Sequence, residues 1–260
     1  MTSERIPLHR RAPLTRFSER AANYALHRPT YPAAAIDAVL AGLGDPRALR
    51  VADIGAGTGI AARLLGDRGM RVDAVEPNEA MRRAAAEHPR VVYREGTAER
   101  TGLDGRSVDL VTAFQAYHWF DPESAHREFA RILAPRGRVA IVWNLRDESD
   151  SFTHAYGELI RAAAADKDVE SRHGAVEPLR ASPLFAHVRT TTAPHGQRLD
   201  LPGLRGRVES ASYVPHAGEA RDRLRAELAR LHARWADAGG FVRLVYRTEV
   251  TLAEAEVGGP

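Results

Sequence analysis

Residues Val51 to Gly59 read VADIGAGTG, and the order of residue types in these nine positions decides the fold. Val51, Ala52 and Ile54 are compact and apolar, as a strand buried on both faces requires. The run stops at Gly55, Gly57 and Gly59, and an alanine- and leucine-rich helix begins near Ile60. The stretch predicts a strand, a tight turn and a helix start. Three glycines let the main chain take conformations closed to other residues and let a ligand lie against it, while the helix N-terminus offers unpaired N–H groups. The turn is a seat for a small molecule.

The spacing narrows which molecule. A dinucleotide fingerprint, G-x-G-x-x-G, would put glycine at position 60, where this chain has Ile60. A phosphate-binding loop for nucleoside triphosphates needs Lys and then Ser or Thr, and Ile60, Ala61 and Ala62 stand there instead. What VADIGAGTG resembles is motif I of the class I S-adenosylmethionine (SAM) methyltransferases, in which an acidic residue, here Asp53, precedes G-x-G-x-G by two places. Glu76 closes the next expected strand, 21 positions after Gly55, where a doubly wound fold places an acid for the ribose hydroxyls.

Two further stretches carry a resemblance to one small-molecule group of these enzymes, related to the trans-aconitate methyltransferases. Residues 16–32, RFSERAANYALHRPTYP, are similar to its R-F-x-x-R-x-x-x-Y-x-x-x-R-P-x-Y-P leader, and residues 114–121, FQAYHWFD, contain its Q-A-x-H-W-F-D segment. The resemblance implies that Tyr24 and Arg28 close over the methionine end of SAM. It also implies cofactor contacts from Asp53, Gly55, Ala56, Gly57, Gly59, Glu76, Pro77, Phe114 and Gln115. Thr97, Ala98 and Glu99 would form the adenine rim, with Thr97 departing from the Asp of many relatives. On the acceptor side it places Tyr31, His118, Trp119, Trp143 and Asn144. His118, in a crevice made dry by Trp119 and Phe120, is the candidate to take a proton, with a structural histidine as the equally weighted alternative. S-adenosylhomocysteine would be the product. Methyltransferases of planar amines carry Asn or Asp followed by two prolines and an aromatic at this place, and FQAY does not match them.

The rest of the chain alternates strand and helix. Helices are expected over 33–43, 60–67, 77–87, 122–133, 151–165, 201–211 and 221–238, and strands over 49–54, 71–75, 91–94, 107–113, 139–143, 188–192 and 241–252. The fold class is α/β: a Rossmann-like, seven-stranded, mostly parallel sheet with helices on both faces and an antiparallel last strand, plus an N-terminal lid and C-terminal helical insertions. One domain is expected over 1–260, with 1–44 as lid, 45–147 as SAM-binding core and 148–260 roofing the substrate.

Composition removes other classes. The 260 residues contain no cysteine, which excludes disulfides and thiolate metal sites, and the eleven histidines show no H-E-x-x-H spacing, so no metal is expected. No apolar run reaches the roughly 20 residues that span a bilayer. The basic start lacks the apolar core of a signal peptide, and a cytoplasmic enzyme, monomer or homodimer, is expected. The pI is near 9.5, yet the formal net charge is only +3 and Lys167 is the sole lysine. That pattern reads as the imprint of a GC-rich bacterial genome, and without a clustered basic face no nucleic-acid or membrane partner is expected. The reading is a SAM-dependent methyltransferase acting on an O, C or N atom of a small molecule, possible biosynthetic metabolites included. Its rivals are a SAM-binding cyclase or regulator of the same fold and, further off, an RNA or protein methyltransferase.

Overall fold

The computed structural model describes residues 27–164, 175–211 and 213–256. The elements run α1 (Ala33–Leu40), β1 (Arg50–Ile54), α2 (Ile60–Asp67), β2 (Arg71–Val75), α3 (Glu79–Arg83), β3 (Val91–Arg94), β4 (Val108–Phe114), α4 (Pro122–Ile132) and β5 (Leu133–Arg146). Then follow α5 (Ser151–Ala163), α6 (Glu177–Arg180), β6 (Phe185–Leu199), α7 (Leu201–Glu209), α8 (Gly218–Trp235) and β7 (Val242–Ala255). They build one seven-stranded sheet in the order β3-β2-β1-β4-β5-β7-β6, parallel except for β7, which is antiparallel to both its neighbours. This is the Rossmann-like α/β fold expected.

Alternation along the strands separates two cores. Val51 and Leu110 face α1 and α2 with Ala35, Ile36, Val39, Ala61 and Leu65. Ala52, Ile54, Val111 and Ala113 face the opposite layer, with Phe129 and Ile132 of α4 and Leu179 of α6. A third core joins Phe152, Tyr156 and Ile160 of α5 to Leu204 and Val208 of α7, Leu224 and Leu228 of α8, and Val242, Leu244 and Tyr246 of β7. Side-chain caps start the helices where the sequence offers them: Asn78, Asp121, Asp150 and Asp200 accept from Met81, Ser124, Thr153 and Gly203 N.

Three expectations are corrected in extent. The helix expected to reach residue 87 ends at Arg83, because the following chain turns to place the His88 ring against Gly66, 2.5 Å from where a Cβ would stand, and Ala86 O accepts from Tyr93 Oη. β5 extends to residues 133 and 146, and β6 is 15 residues where five were expected. β6 is an edge strand, so much of it is exposed and its apolar alternation is faint; Pro194, which would break an inner strand, is tolerated there. Between Val142 and Arg146, β5 runs on past the end of β4, paired to β7, so β5, β7 and β6 overhang the parallel strands.

Candidate functional site

The glycine turn sits at the carboxyl end of β1, beside β4, where the sheet order reverses direction. Gly55, Gly57 and Gly59 have φ of 67°, 58° and 73°, the left-handed region that favours glycine. A Cβ on Gly55 would lie 2.7 Å from the Ala116 Cβ, so this glycine is required by space as well as by conformation. Gly59 opens α2 with no side-chain cap, leaving the first amides of the helix to the turn.

Two acids flank the turn from opposite sides. Glu76, at the end of β2, accepts from Gly57 N at 2.9 Å and Asn78 N at 2.9 Å, so each carboxylate oxygen is aimed by one amide. Burial pushes its pKa up, against those two bonds and the nearby Arg82 charge. Asp53 is 1% exposed. Its Oδ1 accepts from Thr112 Oγ1 at 2.7 Å, and its Oδ2 finds no partner among the described residues. Burial pushes the Asp53 pKa up to about 7, the Thr112 bond opposing and the Glu76 charge adding.

A cleft opens over this turn. Arg28, Pro29, Tyr31, Asp53, Thr58 and Gln115 are among its walls. Among the described residues, three buried oxygens in those walls have no partner: Asp53 Oδ2, Thr58 Oγ1 and Gln115 Oε1. Buried polar atoms are otherwise nearly always bonded, so acceptors left open on one cleft mark a place for a ligand with donors. The ammonium and ribose hydroxyls of SAM are such donors, and the residues present fit that cofactor.

The end of β4 supplies the far wall. Gln115 takes φ 56°, unusual for a side-chain-bearing residue, and its Nε2 donates to Asn144 O at 3.2 Å. Phe114 meets Tyr31 edge-on at 4.7 Å between ring centroids. The next residues form a 3-10 turn, Tyr117–Trp119, missed in the sequence because one turn has no periodicity to read. In it the His118 ring lies 4.7 Å from Trp119 and 5.3 Å from Trp143. Beneath, Tyr117 and His126 are joined at 2.8 Å, and burial pushes His126 down to about 4, so this histidine is a neutral strut.

The structure brings together Arg28, Tyr31, Asp53, Gly55, Ala56, Phe114 and Gln115 on one cleft. The other expected residues lie outside that lining. Asn144 is bonded at both ends of its amide: Nδ2 donates to Thr30 O at 3.0 Å and Oδ1 accepts from Thr248 Oγ1 at 2.6 Å, so it pins residues 30–31 to the sheet. Trp143 is wholly buried and backs His118 rather than lining an opening. Thr97 is bonded within its own turn, both ways to Arg100, and Glu99 Oε1 accepts from Asp121 N, holding the start of α4. Ala98 is buried in the α4 core. Pro77 lies beside Glu76 with its carbonyl accepting from Arg82. Tyr24 lies outside the described residues. Among the described residues no group of His, Asp and Glu could hold a metal, and no helix is long and apolar enough to cross a membrane.

Comparison with known proteins agrees with this geometry. Residues 52–141 match the family model described as a methyltransferase domain. An uncharacterized methyltransferase of Mycobacterium bovis is 43% identical over 145 residues, 55% of this chain and 58% of that protein. The chain thus spans little more than half the length of the first curated relatives it matches. A malonyl-[acyl-carrier protein] O-methyltransferase of Enterobacter lignolyticus is 27% identical over 92% of this chain and 95% of its own. The solved structure of a candidate type II methyltransferase from Anaeromyxobacter dehalogenans superposes with a TM-score of 0.66 at 27% identity, covering 86% of this chain and 97% of that one.

Proposed function

We propose that the protein is a class I SAM-dependent methyltransferase that transfers a methyl group to a small-molecule acceptor. The observation that carries the reading is the set of open buried acceptors, Asp53 Oδ2, Thr58 Oγ1 and Gln115 Oε1, on a cleft over a glycine turn that Glu76 grips from the other side. The methyltransferase-domain match over residues 52–141 contains both acids. Asp53 and Gln115 would take donors of the methionine portion, and Glu76, already aimed by two amides, the ribose hydroxyls. Thr97, Ala98 and Pro77 remain the proposed adenine side, with Ala98 and Thr97 acting through main chain and shape.

SAM supplies an electrophilic methyl on a sulfonium. The protein's part in a displacement is to position and to exclude water, and acid–base help is secondary. Phe114 and Tyr31 would present apolar faces beside the cation. His118, clasped by Trp119 and Trp143, is the residue proposed to accept a proton from the acceptor or to orient it. Segments 1–44, 45–147 and 148–260 would serve as lid, cofactor core and roof of one cytoplasmic unit, monomer or homodimer.

The relative named for malonyl-[acyl-carrier protein] covers nearly all of this chain, which favours as second reading an acceptor borne on a carrier protein. Incubation with SAM and panels of free and carrier-borne acceptors, read by mass for the gain of one methylene, tests both. Binding of SAM without methylation of any acceptor would favour a cyclase or regulatory protein instead.

A further inference from the structure

Arg207, on α7, is 6% exposed, yet its described partners are neutral and distant: Nε donates to Tyr246 Oη at 3.3 Å and Nη1 to Ser210 Oγ at 3.4 Å. Among the described residues no carboxylate forms an ion pair with it. A guanidinium carries five N–H donors and keeps its proton, so a permanent charge is held in the third core with most of its donor fork open. Buried charges are otherwise paired.

The surroundings concentrate the charge. Burial pushes the Tyr213 phenol up, and the guanidiniums of Arg146, Arg207 and Arg28 more than reverse this, leaving it below the ordinary tyrosine value. Three arginines therefore converge on one tyrosine, and Arg28 among them lines the cleft and donates to Ser210 O at 3.2 Å. Trp119, beside His118, packs against the same core of Tyr156, Tyr213 and Tyr246. Gly206 lets the His27 ring press onto α7, where a Cβ would stand 2.3 Å from it, so Arg207 is fixed relative to residues 27–31 and the cleft.

We infer that Arg207, in the roof and joined to Arg28 through Ser210, anchors an anionic group, carboxylate or phosphate, of the methyl acceptor. This rests on the methyltransferase reading and names its acceptor class: molecules with an acid group some distance from the methylated atom. Tyr213 and Tyr246 would complete the anchor with hydroxyl donors, and a neutral analogue would leave the buried cation unpaired.

The test titrates benzoate and, separately, inorganic phosphate by calorimetry into wild type, Arg207→Met and Arg207→Lys at constant ionic strength, each with and without saturating S-adenosylhomocysteine. Wild type should bind one of the two, which identifies the anion, and Arg207→Met should weaken it by at least about tenfold, the size of one charge-assisted bond. Affinity for S-adenosylhomocysteine should change less than about threefold in Arg207→Met, showing an intact cofactor half. Arg207→Lys, which keeps the charge but not the fork, should lie between. Equal probe binding in wild type and Arg207→Met, binding of neither probe to wild type, or loss of S-adenosylhomocysteine affinity in step with probe affinity would each overturn the anchor. Failure of wild type to bind S-adenosylhomocysteine strikes the methyltransferase reading alone, since the probe titration without it still decides the anion site.

Discussion

The parallel strands β1 to β4 are five, five, four and seven residues long and end together at the glycine turn, while β5, β7 and β6 are 14, 14 and 15 and overhang that edge. The first region offers a ligand main-chain turns and open acceptors; the second, open donors on arginine. The methyltransferase-domain match covers the first and stops at residue 141, inside β5. The contrast teaches a division of labour: groups that accept hydrogen bonds suit a cationic cofactor, and groups that donate suit an acid.

The harshest way to break this comparison is Gly57→Val. A branched side chain resists φ 58° and disturbs the amide that Glu76 grips, so SAM affinity should fall beyond about 100-fold while thermal unfolding stays cooperative. Affinity within tenfold of wild type would show that the turn is not the seat. Glu76→Ala comes next. It removes the proposed ribose acceptor and orphans the Gly57 and Asn78 amides, and calorimetry should show SAM binding weakened by about 3 kcal/mol, with benzoate and phosphate titrations unmoved.

Asp53 sharpens the comparison through pH. Its folded-state value of about 7 lies above the ordinary 3.8, so the empty protein binds the proton more tightly than the unfolded chain, and stability is lost as pH rises from about 4 to 7. Asp53→Asn should therefore stabilise the empty protein, with the gain growing by about 3 kcal/mol between pH 5 and pH 8 in denaturant titrations. A donor placed on Oδ2 favours the ionised form, so SAM should bind wild type more tightly as pH rises to about 7 and level off above it. A pH-independent affinity would remove Asp53 from the contact. The smallest effect is expected of Asn144→Ala, which frees residues 30–31 from the sheet: about 1–2 kcal/mol of stability, seen as a lower Tm, with turnover reduced more than SAM affinity.

What was legible in the sequence follows the same divide. The turn, Glu76 and the elements around them are written locally, in φ demands, spacing and apolar period. Thus β2, β3 and α2 fall where the pattern places them. The bonds of Asn144 reach residues 114 and 104 positions away, a pairing no local pattern encodes. Arg207 is hidden for a similar reason: as one arginine among many it looks like surface until α7 and β7 close around it. The lid readings on residues 1–26 lie outside the described residues.

The placing of β7 between β5 and β6 also dictates an order of events on the ribosome. β5 is translated about a hundred residues before the strand that pairs with it along nine consecutive registers, and β6 has no sheet to join until β7 arrives. During that interval the growing chain presents an unpaired apolar edge at Val139 to Trp143, the kind of surface that recruits chaperones or a second nascent chain. The parallel strands can pair as they are made, whereas β6 joins the sheet only through β7.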